Sequence, residues 1–169
     1  HIQFRDGMSS EEIQNTLIQT AVQKIDIDRP QWTFVGARLF LYDLYHKVGK
    51  LLEGTKGNPY CHLTKYIKYG ESVGRIIPGL DKMYDIERLN SAIVPERDFL
   101  FNYLGIKTLF DRYLLKNEKK ECFELPQQMF MGIGMFLAQN EGNGDIQART
   151  DKAIEFYDVV SKFEVMLAT

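Results

Sequence analysis

Apolar residues recur at helical spacing along almost the whole chain. Ile13, Leu17, Ile18, Ala21, Val22 and Ile25 form one stripe, preceded by Ser9 and Ser10, either of which can cap a helix, and by Glu11 and Glu12, which suit its opening turn. This predicts an amphipathic first helix lying on a core. Pro30 cannot continue that helix, because it lacks an N–H and biases Arg29 away from the helical region, yet it suits the first turn of a new one. A second helix is therefore predicted over about Gln31 to Val48. Its apolar residues, from Trp32, Phe34 and Val35 through Ala37, Leu39, Phe40, Leu41 and Tyr42 to Leu44 and Tyr45, wrap most of the way round, as in a buried central helix. Arg38 must then find a partner or an exit to solvent.

The stretch EGTKGNP, Glu53 to Pro59, has too many glycines and turn formers to hold a regular element and marks a subdomain boundary. Short helices are predicted around Cys61 to Tyr69 and Asp85 to Ala92, separated by a turn at Pro78-Gly79, and another over Asp98 to Leu109. In RYLLKNEKKECFE, the apolar residues Tyr113, Leu115, Cys122 and Phe123 flank a polar turn at Asn117 to Lys120, the pattern of a two-stranded hairpin. A helix from Pro126 to Glu141 starts at proline and stops at Gly142, with Met129, Phe130, Ile133, Phe136 and Leu137 on one face. Gly132 and Gly134 lie inside it, where each costs about 1 kcal/mol relative to alanine, so either another helix or a ligand comes close there. The closing helix buries Ala153, Phe156, Tyr157, Val160, Phe163 and Leu167 and pairs Asp158 with Lys162 on its wet side. The fold class is mainly α, with one short β-hairpin.

Composition narrows the function classes. A chain of 169 residues, 44% hydrophobic and 12% aromatic, buries one substantial core, with or without a small appendage. Its longest apolar stretch, Thr33 to Tyr45, is broken by Arg38 and Asp43, short of the ~18–20 residues of a membrane span. No apolar signal region follows the charged opening. A net charge of -2 and a pI near 6.0 leave no electrostatic footprint for nucleic acid. Lys116, Lys119 and Lys120 are diluted by Glu118 and Glu121 and read as a solvated turn. Cys61 and Cys122 lack metal or redox spacing and read as free thiols of a cytoplasmic protein.

Candidate chemistry is thin. Cys61 and His62 are adjacent, which points their side chains apart and spoils a nucleophile–base pair. His1, His46 and His62 share no spacing that would set a metal site. GNGD at Gly142 to Asp145 lacks the preceding strand and the lysine-hydroxyl pair of a phosphate loop, and reads as a helix stop and turn. Asp85 with Glu87, and Glu11 with Glu12, sit in helix first turns, where the helix dipole accounts for them. No catalytic residue and no metal ligand is assigned.

Longer segments carry more information than these constellations. HIQFRDGMSSEEIQNTLIQTAV, FVGARLFLYDLYHKV, FNYLGIKTLFDRYLLK, ELPQQMFMGIGMFLAQNE and FYDVVSKFEVMLAT together resemble, in order, the N-terminal region of the aerobic ribonucleotide reductase large (alpha) subunit. The chain opens at His1 without a methionine and stops at Thr169 straight after a helical run, which reads as a piece of a larger enzyme. The resemblance implies that residues 1–51 are the C-terminal half of an ATP-cone regulatory module, and that 52–169 are the helical N-terminal domain preceding the catalytic α/β barrel. It further implies that Ser10, Gln14, His46 and Lys47 lie where the cone contacts an ATP or dATP effector, and that Thr169 contacts the substrate nucleotide. Ser10 serves helix capping equally well. Gln14 stands in place of a histidine found in some relatives, and His46 in place of a phosphate-contacting lysine, with Lys47 beside it. A neutral imidazole is a poor substitute for that point charge.

The same resemblance implies the parent's chemistry: reduction of ribonucleoside diphosphates through a cysteine thiyl radical generated by a metal-tyrosyl radical on the small (beta) subunit, with a redox-active dithiol supplying electrons. Its implied partners are that subunit, a second large subunit, and thioredoxin or glutaredoxin as reductant. Neither Cys61 nor Cys122 matches a catalytic position, so the chain alone is expected to be inactive. The alternative reading is a standalone helical module that senses nucleotides or binds proteins without catalysis.

Overall fold

A computed structural model describes residues 5–52 and 58–165. Seven α-helices follow one another among these residues: α1 (Ser10–Gln23), α2 (Trp32–Leu51), α3 (Leu63–Ser72), α4 (Ile86–Ala92), α5 (Tyr103–Arg112), α6 (Pro126–Ala138) and α7 (Ile146–Ser161), with short 3-10 turns at Leu80–Lys82, Pro95–Leu100 and Gly142–Gly144. The helix punctuation of the sequence accounts for most of their ends. Ser9 caps α1 by accepting from Glu12 N, and the Glu12 carboxylate returns to Ser9 N at 2.7 Å, a reciprocal capping box. Asp85, Asn102 and Asp145 cap α4, α5 and α7 through their side-chain oxygens. α6 ends at Ala138 with Gln139 capping it in the right-handed region, and the GNGD stretch beyond, entered at Gly142 (φ 78°), is the expected turn.

Three expectations change in detail. The predicted helix from Asp98 is two pieces: a 3-10 turn through Leu100, then α5, separated at Phe101 and Asn102, whose extended backbones let Asn102 accept from Gly105 N. The hairpin is reduced to a single antiparallel bridge between Lys116 and Cys122, closed by Asn117 N donating to Glu121 O and Lys120 N to Asn117 O. Too few residues remain extended on either side to build strands. The closing helix stops at Ser161, and Phe163 adopts a left-handed φ of 59°. Of the predicted linker, residues 53–57 lie outside the described part; so do Leu167 and Thr169.

One apolar cluster runs through the molecule, joining Ala37, Leu41, Leu44 and Val48 of α2 to Ile67 of α3, Leu89 of α4, Ile106 of α5, Met131 and Met135 of α6, and Ala153 and Tyr157 of α7. The second helix is central, yet not covered all round: it packs on α1 and α5, while Phe34, Val35 and Tyr42 face solvent. Arg38 finds its partner in the Phe99 ring, 5.7 Å from the centroid. Gly36 sits at the crossing, where an added Cβ would lie 3.4 Å from Tyr103 and 3.5 Å from Val22.

The pair α6 and α7 is the most extensive helix contact, and it explains one of the two glycines. A Cβ on Gly134 would lie 2.5 Å from the carbonyl oxygen of Ala153 and 3.1 Å from Tyr157 N, so only glycine admits α7 at this distance. Gly132 meets nothing within 4 Å. The expected buried face of α6 is also divided: Phe130 is buried, but Phe136 is 66% exposed, because α7 packs on the Gly134 side.

These two glycines make opposite predictions. Gly134→Ala forces backbone against backbone and should lower the unfolding free energy by about 2 kcal/mol or more, whereas Gly132→Ala gains helix propensity and should raise it by up to about 1 kcal/mol. Urea denaturation of the two variants measures both.

Candidate functional site

Of the residues implied by the resemblance, Gln14 and Lys47 tie α1 to α2 along their seam, while Ser10 and His46 lie exposed on their own helices. Ser10 is the first residue of α1 and exposed, one position after the residue that caps it. Gln14 Nε2 donates to Leu39 O of α2 at 2.8 Å, tying the two helices together. Lys47 sits between Asp43 Oδ2 at 2.9 Å and Glu11 Oε1 at 3.1 Å, bridging α2 to the start of α1. His46 lies against Tyr42, ring centroids 5.9 Å apart and nearly parallel, on the exposed side of α2. The seam therefore holds one lysine already facing two carboxylates. A phosphate approaching Lys47 would meet two negative charges within about 3 Å of its ammonium nitrogen. Thr169 lies outside the described residues.

The Cys61-His62 pair separates as its adjacency requires. His62 caps α3 by accepting from Thr64 N at Nδ1 and meets Glu87 through Nε2, while Cys61 Sγ accepts from Gln128 Nε2 at 3.6 Å. Both cysteines are buried free thiols, and desolvation raises the thiol of Cys61 and pushes that of Cys122 up to about 11. Protonated, enclosed thiols are poor nucleophiles. No group of three or more His, Cys, Asp or Glu among the described residues could hold a metal ion, and no described helix is long and apolar enough to cross a membrane.

The densest polar geometry lies in the core. Asp98, fully buried, accepts from the hydroxyls of Tyr45 and Tyr60 at Oδ2, both at 2.6 Å, and from Gln127 Nε2 at Oδ1, 2.8 Å. Behind it, Tyr157 donates to Gln127 Oε1 at 2.9 Å and accepts from Val94 N at 2.9 Å, while Tyr60 Oη accepts from Gln127 N at 3.0 Å. A second buried carboxylate, Glu124, accepts from the Tyr66 hydroxyl and from Leu115 N at 2.8 Å. Burial dominates both groups: desolvation raises Asp98 to about 6 and Glu124 to about 7, in spite of hydrogen bonds that favour their charged forms. Sequence reasoning missed this network, because Asp98 reads as an acidic residue opening a helix. The available signal was the Gln127-Gln128 pair in an otherwise apolar stretch.

These helices define the class. Residues 99–169 match the family described as ribonucleotide reductase, all-alpha domain. The rest of the chain extends the likeness: it is 59% identical over 168 residues, 99% of its length, to the ribonucleoside-diphosphate reductase subunit alpha of Helicobacter pylori. It is 32% identical, over 98% of its length, to the protein of that name from Enterobacteria phage T4, and 28% identical, over 100%, to the ribonucleoside-diphosphate reductase 1 subunit alpha of Escherichia coli. The chain is similar over nearly its whole length to the N-terminal region of ribonucleotide reductase alpha subunits. It spans about a fifth of the length of these relatives.

The buried carboxylates predict a pH dependence. Each has a native pKa above its unfolded value, so the native state holds a proton that the unfolded chain has already released. Stability then falls as pH rises, from 3.8 to about 6 for Asp98 and from 4.5 to about 7 for Glu124, and levels off above. Between pH 5 and pH 8 the unfolding free energy should drop by roughly 4 kcal/mol. Glu124→Gln, which can still accept from Leu115 N while its amide donates to Tyr66, should abolish the slope between pH 6 and 7 and leave only the Asp98 contribution below pH 6. Urea titrations at a series of pH values measure both effects.

Proposed function

We propose that the chain works as the N-terminal part of the alpha subunit of a ribonucleoside-diphosphate reductase, an enzyme that converts ribonucleoside diphosphates to deoxyribonucleoside diphosphates. The observation that carries this reading is the collinear likeness over 99% of the chain to an alpha subunit at 59% identity. In this reading residues 1–51 are part of the ATP-cone and 52–169 the helical domain before the catalytic barrel. The chain supplies scaffold, regulatory surface and, at Thr169, an edge of the substrate site. The radical-bearing beta subunit, a second alpha subunit and a thioredoxin-type reductant belong to the assembled enzyme in the cytoplasm. The buried, protonated thiols of Cys61 and Cys122 support the view that the reacting cysteines lie elsewhere in the enzyme. The test is turnover: the full-length polypeptide carrying these residues, mixed with its beta subunit, should reduce a ribonucleoside diphosphate, and inactivity with a radical-loaded partner would overturn the reading.

Within that reading the activity site of this piece is weak. Lys47 is held by Glu11 and Asp43, and Gln14 by the backbone of α2, so the groups that would meet a triphosphate are already engaged. Calorimetric titration of the chain with ATP should give no binding, or binding far weaker than low micromolar. Glu11→Gln with Asp43→Asn, which frees Lys47 of both carboxylates, should strengthen binding by about fivefold, the equivalent of roughly 1 kcal/mol at a solvated site.

A further inference from the structure

The last turn of α7 ends in a geometry that glycine usually supplies and that Phe163 supplies here. The cap Lys162 is still right-handed and Phe163 turns to φ 59°. Phe163 N then donates to Val160 O at 3.2 Å and Glu164 N to Val159 O at 3.1 Å, the paired hydrogen bonds of a left-handed helix stop. Two other non-glycine residues among those described take a left-handed φ, Lys120 and Asn143, and both are exposed turn residues. A bulky aromatic residue in that region is strained, and it stays there only where its surroundings hold it.

Segment 94–101 holds it through three ties to the last turns of α7. Val94 N donates to the Tyr157 hydroxyl at 2.9 Å, and Arg97 Nη1 donates to Ser161 Oγ at 2.6 Å and meets Asp158 Oδ1 at 2.7 Å. The buried Phe101 ring meets Phe163 edge-on at 4.9 Å, and Phe130 of α6 adds a second edge-on ring at 5.9 Å. The same segment carries Asp98, so the exit of the chain from α7 is fixed to the buried polar network. Phe163 itself is 37% exposed, and a glycine would end α7 without strain, so core filling alone does not account for the ring. What the clamp fixes is the direction in which the chain leaves α7. Thr169 follows six positions later. At a reach of at most about 20 Å, a rotation of about 3° at Phe163 moves Thr169 by about 1 Å.

We propose that Phe163 is a positioning residue: clamped by Phe101 and Phe130, it aims the segment that carries Thr169 at the bound ribonucleoside diphosphate. The inference rests on the reading of the chain as part of a ribonucleoside-diphosphate reductase.

The test is steady-state kinetics of the full-length alpha subunit with its radical-loaded beta subunit, cytidine diphosphate as substrate and dithiothreitol as reductant. Phe163→Ala should raise KM by about tenfold and leave kcat within about twofold, because a misaimed Thr169 weakens substrate binding without touching the reacting groups. Phe163→Gly suits the left-handed backbone and keeps the helix stop; it should raise KM in the same way, which covers the case of an alanine variant that folds poorly. Phe163→Tyr returns the ring to the clamp and should recover the low KM. Combined with Thr169→Val, which removes the hydroxyl, Phe163→Ala should raise KM no further than Thr169→Val does alone. An active enzyme whose KM is unmoved by Phe163→Ala and Phe163→Gly would overturn the proposal and leave Phe163 a packing residue. So would KM effects that multiply in the double variant, the sign of a residue acting apart from Thr169. A wild-type enzyme without turnover would instead remove the reductase reading itself, and the positioning role with it.

Discussion

The fold depends on one buried carboxylate holding together chain segments that share no local connection. Asp98 receives Tyr45 from α2, Tyr60 from the segment before α3, and Gln127 from the first turn of α6, and Gln127 passes the network to Tyr157 on α7. Each donor is itself largely desolvated, so none can exchange its partner for water without opening the core. Leaving one such donor unmatched costs about 1–3 kcal/mol, and removing Asp98 would strand three at once. Apolar packing alone would tolerate sliding of α2 over α6; directional bonds to a single carboxylate tolerate far less.

That constraint bears on how the two halves of the chain communicate. The α1–α2 pair comes first along the chain, yet α2 contributes Leu41, Leu44 and Val48 to the same apolar cluster as α6 and α7, and its Tyr45 to Asp98. Lys47, two residues beyond Tyr45, is clasped by Glu11 of α1. A change in the charge around Lys47 therefore acts on the same helical turn that holds the buried carboxylate. Rigid helices with discrete hydrogen-bonded arrangements at both ends are the physical means by which a surface event reaches a core.

Much of the architecture was legible in the sequence because helices announce themselves by period and punctuation. Ser9, Asp85 and Pro126 are local signals, and each acts through atoms within a turn of its own position, whereas Asn102, inside the helix expected from Asp98, was not read as a cap. Where a partner lies far along the chain, pattern reading gave less. Phe136 and Tyr42 look like core residues by spacing but are exposed, since burial depends on where α7 and α5 pack. The hairpin pattern around Asn117 was recognisable; its shrinkage to a single bridge reflects the short length between α5 and α6. The candidate site divides the same way. The resemblance pointed to Gln14 and Lys47, whereas Asp98 and Glu124 were invisible as a network because their partners lie up to 58 positions away.

The two buried carboxylates also separate stability from solubility in this chain. The lysine and arginine salt bridges described, such as Arg29–Asp26, Lys47–Asp43, Lys107–Asp111 and Lys152–Glu155, are at least partly exposed, and such pairs are worth little. Asp98 and Glu124 meet no cation among the described residues and are held by hydroxyls and amides, whose preference for the anion is smaller than the desolvation that opposes it. Desolvation then decides the protonation state, and both carboxyls hold their protons to higher pH than in the open chain. The polar core is thus built from hydrogen bonds to carboxyls without a counter-ion among the described residues, with helices that meet through tyrosines and glutamines in place of a buried ion pair.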